Sequence, residues 1–187
     1  MSTIKTLAVL CTAITVLCAN SYAQEKAPQK VVDLANSELA ALGTDPIIVA
    51  AVKAENAKGK TLDQIKAMDA EWMSIPGYSD FMKSLMDSEC GKHLKALIDS
   101  NDYYAEIFVM DNLGANVAMA DKTSDYWQGD EAKFTESYKD GKGAIHISDV
   151  KFDDSTQAYL VQVSVPVKDG DTVIGAITIG IDIDKVE

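Results

Sequence analysis

The spacing of apolar residues along the chain changes once, near Asn101. Before it, apolar side chains recur every three to four residues, as on one face of a helix. Val31 to Leu42 reads as a helix stopped by Gly43, and Thr44-Asp45-Pro46 restarts one with a capping side chain followed by proline. Thr61 and Gln64 form a capping box ahead of Leu62, Ile65, Met68 and Trp72, which fall at helical spacing. Trp72 is therefore expected in the core. Pro76-Gly77 breaks the chain, and two more helices are expected over about 79–88 and 91–99.

After Asn101 the period shortens to two. Ala105–Asp111 reads as a strand, Asn112-Leu-Gly114 as a turn and Val117–Ala120 as the returning strand of a hairpin. Residues 121–143 form a polar, aromatic excursion with a short helix from Asp130, its expected cap, to Tyr138. Three more strands follow, Ala144–Val150, Tyr159–Val167 and Val173–Ile183. The expected fold is α+β: long N-terminal helices packed on a five-stranded antiparallel sheet, drawn as a meander.

Alternation separates the two faces of that sheet. Val161, Val163 and Val165 share a face with Tyr159, and Val173, Ile177, Ile179, Ile181 and Ile183 share another side of the same pattern. These branched apolar faces suit packing beneath helices. The opposite face carries Gln162, Ser164 and Thr178 with small residues around them, a composition that leaves room and hydrogen-bonding groups for a polar ligand.

The N-terminus alters the picture. Lys5 precedes an apolar run from Leu7 to Ala19, and Ser21-Tyr22-Ala23 supplies small residues at the positions before a cut. This order is that of a secretory signal peptide, residues 1–23, cleaved near Ala23. The run falls short of the roughly 20 residues needed to span a bilayer. Residues 24–187 then form a single exported domain, with 24–30 as a flexible leader around Pro28. The chain holds 29 acidic against 17 basic side chains, and cleavage of the signal peptide removes one of the basic ones, Lys5. Such a charge excludes nucleic acid and anionic membrane surfaces as partners. Cys11 and Cys18 leave with the signal, so Cys90 has no partner for a disulfide within the chain and reads as a small buried residue. Every basic residue is lysine; the forked donor that grips carboxylates and phosphates is missing.

The ordered set Ile107-Phe-Val-Met-Asp111-Asn-Leu-Gly114, Asp125-Tyr-Trp-Gln-Gly-Asp130-Glu, Phe152-Asp-Asp-Ser-Thr156, Gln162-Val-Ser-Val-Pro166-Val and Ile174-Gly-Ala-Ile-Thr-Ile-Gly-Ile-Asp182 resembles the Cache superfamily, also called PDC domains, which are extracytoplasmic PAS-like sensors. The resemblance covers most of residues 24–187. It implies a ligand pocket on the sheet face away from the long helix, roofed by the excursion, and output to a membrane sensor kinase, chemoreceptor or cyclase. It also implies homodimers paired through the N-terminal helix. In amino-acid-binding members an aspartate ahead of the Ser-x-Pro strand holds the ligand's amino group; the matching residue is Asp153. Their Arg-x-Trp-Tyr stretch, which holds the ligand carboxylate, aligns with Ala132, Phe134 and Thr135, and no arginine replaces it. An amine, another cation or a neutral polar solute is therefore the expected ligand.

Tyr126 and Trp127, flanked by Asp125 and Asp130, form an aromatic and acidic set that attracts cations. The expected binding residues are Tyr126, Trp127, Asp130, Asp153, Gln162, Ser164 and Thr178. No cofactor is expected. The alternatives are calcium binding through Asp111, Asp121, Asp125 and Asp130, or a protein-interaction subunit of a membrane signalling complex. Catalysis is not expected, because His93 and His146 are the only histidines and neither pairs in sequence with a nucleophile. The sequence ends at Glu187, directly after the last expected strand, so output would run through another protein.

Overall fold

The computed structural model describes residues 25–186. The expected signal peptide and its cleavage site lie outside them. Seven α-helices are described: α1 (Gln29–Ala35), α2 (Glu38–Leu42), α3 (Pro46–Asn56), α4 (Leu62–Ser74), α5 (Asp80–Met86), α6 (Glu89–Ile98) and α7 (Ala132–Tyr138). The strands are β1 (Tyr104–Met110), β2 (Asn116–Met119), β3 (His146–Ile147), β4 (Lys151–Asp153), β5 (Ala158–Asp169) and β6 (Thr172–Asp182).

Local side chains set most helix starts. Asp45 Oδ1 accepts from Ile47 N and Ile48 N at 2.9 and 3.2 Å, with Pro46 opening α3. Thr61 and Gln64 form the expected capping box of α4. Ser79 and Ser88 cap α5 and α6 through the amides of Met82 and Gly91. The expected helix over Val31–Leu42 is instead two. Asn36 Nδ2 donates to Val32 O at 2.7 Å and Ser37 Oγ to Asp33 O at 2.6 Å. These short polar side chains bond the helix's own carbonyls and end α1. The stretch expected as a flexible leader is tied to the sheet region: Glu25 O accepts from Val150 N at 2.8 Å, and Lys26 pairs with Asp149 at 2.9 Å.

The sheet is antiparallel in the order β2-β1-β6-β5-β3, with β4 also pairing β5. It is not a meander. The last strand lies between β1 and β5 because β6, buried along nearly its whole length, is the strand best suited to the centre. The sheet has six strands because the expected third one, Ala144–Val150, pairs only over β3, and β4 forms just after it. His146 and Ile147 pair with Ser164 and Val163, and Lys151 to Asp153 pair with Leu160 to Ala158. One extra residue sits between the two runs, a bulge. There Ser148 Oγ accepts from Gln162 N at 2.9 Å.

Two cores flank the sheet. One packs α1, α2, α3 and α6 on Val161, Val163, Val165, Val167, Ile177, Ile179 and Ile181, as the alternation predicts. The other gathers Ile65 and Trp72 of α4, Met82 and Leu85 of α5, and Phe134 of α7 against Phe108, Met110 and Tyr126. Trp72 is 2% exposed, as expected. Among the described residues, no helix is long and apolar enough to cross a membrane.

Cys90 is buried, as the sequence suggests, and burial pushes its thiol up to about 12. A thiol this poorly ionised is a weak nucleophile. An aromatic disulfide reagent at neutral pH should leave Cys90 unmodified in the folded protein and titrate one thiol after denaturation. Fast modification of the native protein would contradict this burial.

Candidate functional site

The second sheet face has a groove beside the excursion. Its floor is a row of three residues in register across the central strands: Glu106 on β1, Gly180 on β6 and Gln162 on β5. Gly180 makes the row possible. A Cβ there would lie 2.5 Å from Glu106 Cγ, so only glycine lets the glutamate side chain lie across β6. Glu106 Oε1 then accepts from Gln162 Nε2 at 2.7 Å.

The groove has two adjoining lobes, of about 530 and 340 Å³, which share Glu106, Phe108, Lys122, Thr123 and Ser155. Together they fall in the size range of small-molecule sites. The excursion forms one wall through Lys122, Thr123, Ser124 and Gln128. The β4–β5 turn forms the other through Asp153, Asp154 and Ser155. Pro76, Gly77 and Tyr78 close one end, where the Tyr78 hydroxyl donates to Asp121 Oδ1 at 2.8 Å.

The electrostatics favour positive charge. Burial lifts the Glu106 carboxyl above the ordinary glutamate range; the Gln162 bond and Lys133 oppose that, while Asp153 and Glu131 add to it. At Asp153 burial also acts upward, but bonds from Ser155 and Thr156 outweigh it and hold the carboxyl low. All four of those bonds end on Oδ1, so Oδ2 carries none of them. The two lysines in the walls are engaged. Lys122 Nζ donates to Ile75 O and Gly77 O at 2.7 and 2.9 Å. Lys133 pairs with Glu131 at 3.1 Å and lies 5.4 Å over the Phe108 ring.

Of the residues expected to bind ligand, Asp153 and Gln162 line this groove; Tyr126, Trp127, Asp130, Ser164 and Thr178 do not. Tyr126 is 0% exposed, packed on Trp72 and Phe81, and its hydroxyl accepts from Lys60 at 3.0 Å. Lys60 also pairs with the buried Glu55. Trp127 donates its indole N–H to Leu113 O at 2.8 Å, and Lys66 already covers its ring at 4.6 Å. The backbone amides of both aromatics donate to Asp69 Oδ1 of α4. The aromatic set is thus filled by the protein's own cations and carboxylates. Asp130 is exposed and does not cap α7; Glu131 occupies the cap position without a side-chain bond. Ser164 and Thr178 are fully buried and bond each other at 2.9 Å. Phe134 belongs to the second core, while Ala132 and Thr135 are exposed.

Sequence reading missed Glu106. Its signal was present: along β1 it shares the parity of Phe108 and Met110, so a charge sits on a face otherwise apolar. The calcium candidates do not converge. Asp111 Oδ1 accepts from Leu113 N and Ala115 N in the hairpin, and Asp121 is held by Tyr78. Among the described residues no group of three or more metal-binding side chains forms a site. His93 Nε2 lies 3.0 Å from Asp45 Oδ2, a contact joining α6 to the cap of α3.

The fold is shared with the solved sensor domain of a bacterial histidine kinase. The sensor domain of the Vibrio cholerae histidine kinase DctB superposes with a TM-score of 0.51 at 13% identity, covering 84% of this chain and 52% of that one. The sensory domain of the Campylobacter jejuni chemoreceptor Tlp3 with isoleucine bound gives 0.42 at 15% identity, covering 86% and 65%. The ligand-binding domain of the Pseudomonas aeruginosa amino acid chemoreceptor PctC in complex with GABA gives 0.42 at 10%, covering 81% and 61%. The chain thus spans between about half and two thirds of the length of these solved chains. No family model and no curated protein matches the chain.

Proposed function

We propose that this protein is an extracytoplasmic small-molecule sensing domain, exported behind a signal peptide cleaved near Ala23. It takes an amine, another cation or a neutral polar solute in the groove over Glu106. The observation that carries this reading is the Glu106–Gly180–Gln162 row. A carboxylate laid over a glycine, steadied by one amide and lined by no unengaged lysine, attracts a donor-rich or positive group. Asp153 supplies a second negative oxygen at the rim. The domain acts by binding rather than catalysis, and it reports to a membrane sensor kinase, chemoreceptor or cyclase, alone or as a homodimer through its N-terminal helices.

Thermal shift of the purified protein against amines, amino acids, carboxylates and divalent metals tests this. A ligand at about 100 times its dissociation constant adds roughly 2.7 kcal/mol, a clear rise in melting temperature. An amine shift that is lost in Asp153→Asn supports the groove. A shift with calcium alone, or with carboxylates alone, overturns it.

A further inference from the structure

Two buried side-chain oxygens have no donor among the described residues, Asn116 Oδ1 and Gln128 Oε1. Of these residues, Gln128 lines the groove. It is 1% exposed, and its orientation is fixed from two sides. Its backbone N–H donates to Gly114 O at 2.8 Å, and Nε2 donates to Asp125 O at 2.8 Å. Because Nε2 is committed to a carbonyl, the end of the amide left over is the acceptor. Buried acceptors without a donor are rare in folded proteins, and such an atom beside a cavity points to a partner that arrives with the ligand.

The other unspent groups of the groove are acceptors as well. Glu106 uses Oε1 for Gln162, which leaves Oε2, and Asp153 uses Oδ1 for its own turn, which leaves Oδ2. The wall lysines are already bonded, to backbone carbonyls and to Glu131. Three acceptor groups, two of them anionic, thus share one cavity.

We propose that the groove selects a primary ammonium, with three N–H donors for these three groups, over its methylated forms, and that Gln128 is the residue that enforces the choice. A quaternary ammonium satisfies the charge of Glu106 and Asp153 but offers nothing to Gln128. A site whose buried polar group is left unpaired rejects the analogue lacking the donor. Charge alone would not discriminate, and aromatic faces would favour the methylated cation. Of the rings that line the groove, Phe108 is already beneath Lys133, Phe152 packs edge-on against Tyr159, and Tyr78 is tied to Asp121.

This inference rests on the groove being the ligand site, and the test separates the two. Butylamine and its N-methyl, N,N-dimethyl and N,N,N-trimethyl derivatives are titrated into the protein, with the Gln128 side-chain amide followed by NMR. The expected result is a shift of that amide with butylamine and stepwise weakening, about ten- to a hundredfold by the trimethyl form. Gln128→Met, of similar shape without the oxygen, should flatten the series, while Gln128→Glu, which keeps an acceptor, should retain it. The readout is the ratio within the series, which a purely structural loss would not change. If the trimethyl form binds as well as butylamine, the selection by Gln128 is wrong and the cation groove stands. If no member binds, the groove is not an amine site, and the choice of a primary ammonium falls with it.

Discussion

Glu106→Gln removes the response to amines and raises the melting temperature of the ligand-free protein. Both effects come from one burial. The carboxyl of Glu106 lies above its ordinary value of 4.5 because the fold disfavours its charged form. A folded-state value above the unfolded one means that the fold binds this proton more tightly. Its contribution to stability is therefore largest below about pH 4.5 and is lost as pH rises through the folded value. Above that folded value the charged glutamate costs stability, and the neutral amide does not. Glutamine keeps an oxygen for the Gln162 donor, so the gain is expected at about 0.5–2 kcal/mol. Ligand affinity moves the other way, by about 1.5–3 kcal/mol for loss of a charged hydrogen bond. In the unaltered protein, amine affinity should weaken as pH falls toward the Glu106 value, starting above the range of an exposed glutamate. That pH dependence should vanish in the variant. Calorimetric titration across pH with a melting scan measures both effects. An unchanged amine response, or a lower melting temperature in the free variant, contradicts the role assigned to this residue.

Trp72→Ala has the largest expected effect on stability. The ring is 2% exposed and packs 5.7 Å from Tyr126 and 6.2 Å from Phe81. Truncating a buried tryptophan leaves a cavity and costs about 3–5 kcal/mol. Trp72 also donates Nε1–H to Thr123 O at 3.0 Å, and Thr123 lines the groove. The variant should lower the urea midpoint with little change in slope and weaken amine binding together with it. Trp72→Phe separates the contributions, because it retains most of the packing and frees the Thr123 carbonyl. A variant with weakened fold and unaltered affinity would show that the excursion keeps its place without this bond.

Much of the fold was legible because the deciding residues are neighbours in sequence. Asp45 with Pro46, and Thr61 with Gln64, act on amides two or three residues away, so their helices start where the pattern says. The valines of β5 and isoleucines of β6 alternate as expected and meet the helices. What was not legible depends on distant partners. Nothing near β6 says that it enters between β1 and β5. The break at Asn36 and Ser37 is a competition between side chains and the helix ladder, which spacing alone does not reveal. The site divides in the same way. Asp153 and Gln162 face the groove, as the sequence suggested, while Tyr126 and Trp127 look like a cation cage only until Asp69, Lys60, Lys66 and Leu113 are brought to them from elsewhere in the chain. Glu106 could have been found by parity, as a charge on an apolar face.

The extra residue between β3 and β4 determines which way Asp153 points. Pairing of Asp153 with Ala158 and Lys151 with Leu160 places the aspartate on the side of Gln162. Continuing the register of His146 with Ser164 would turn Asp153 toward the opposite side and put Phe152 in its place. Deleting a single codon between residues 148 and 150 would remove that extra residue, and the register of His146 with Ser164 would then run on unbroken with Asp153 still opposite Ala158. A lineage carrying this fold can therefore shorten the chain at this point without exchanging the acid that faces the groove.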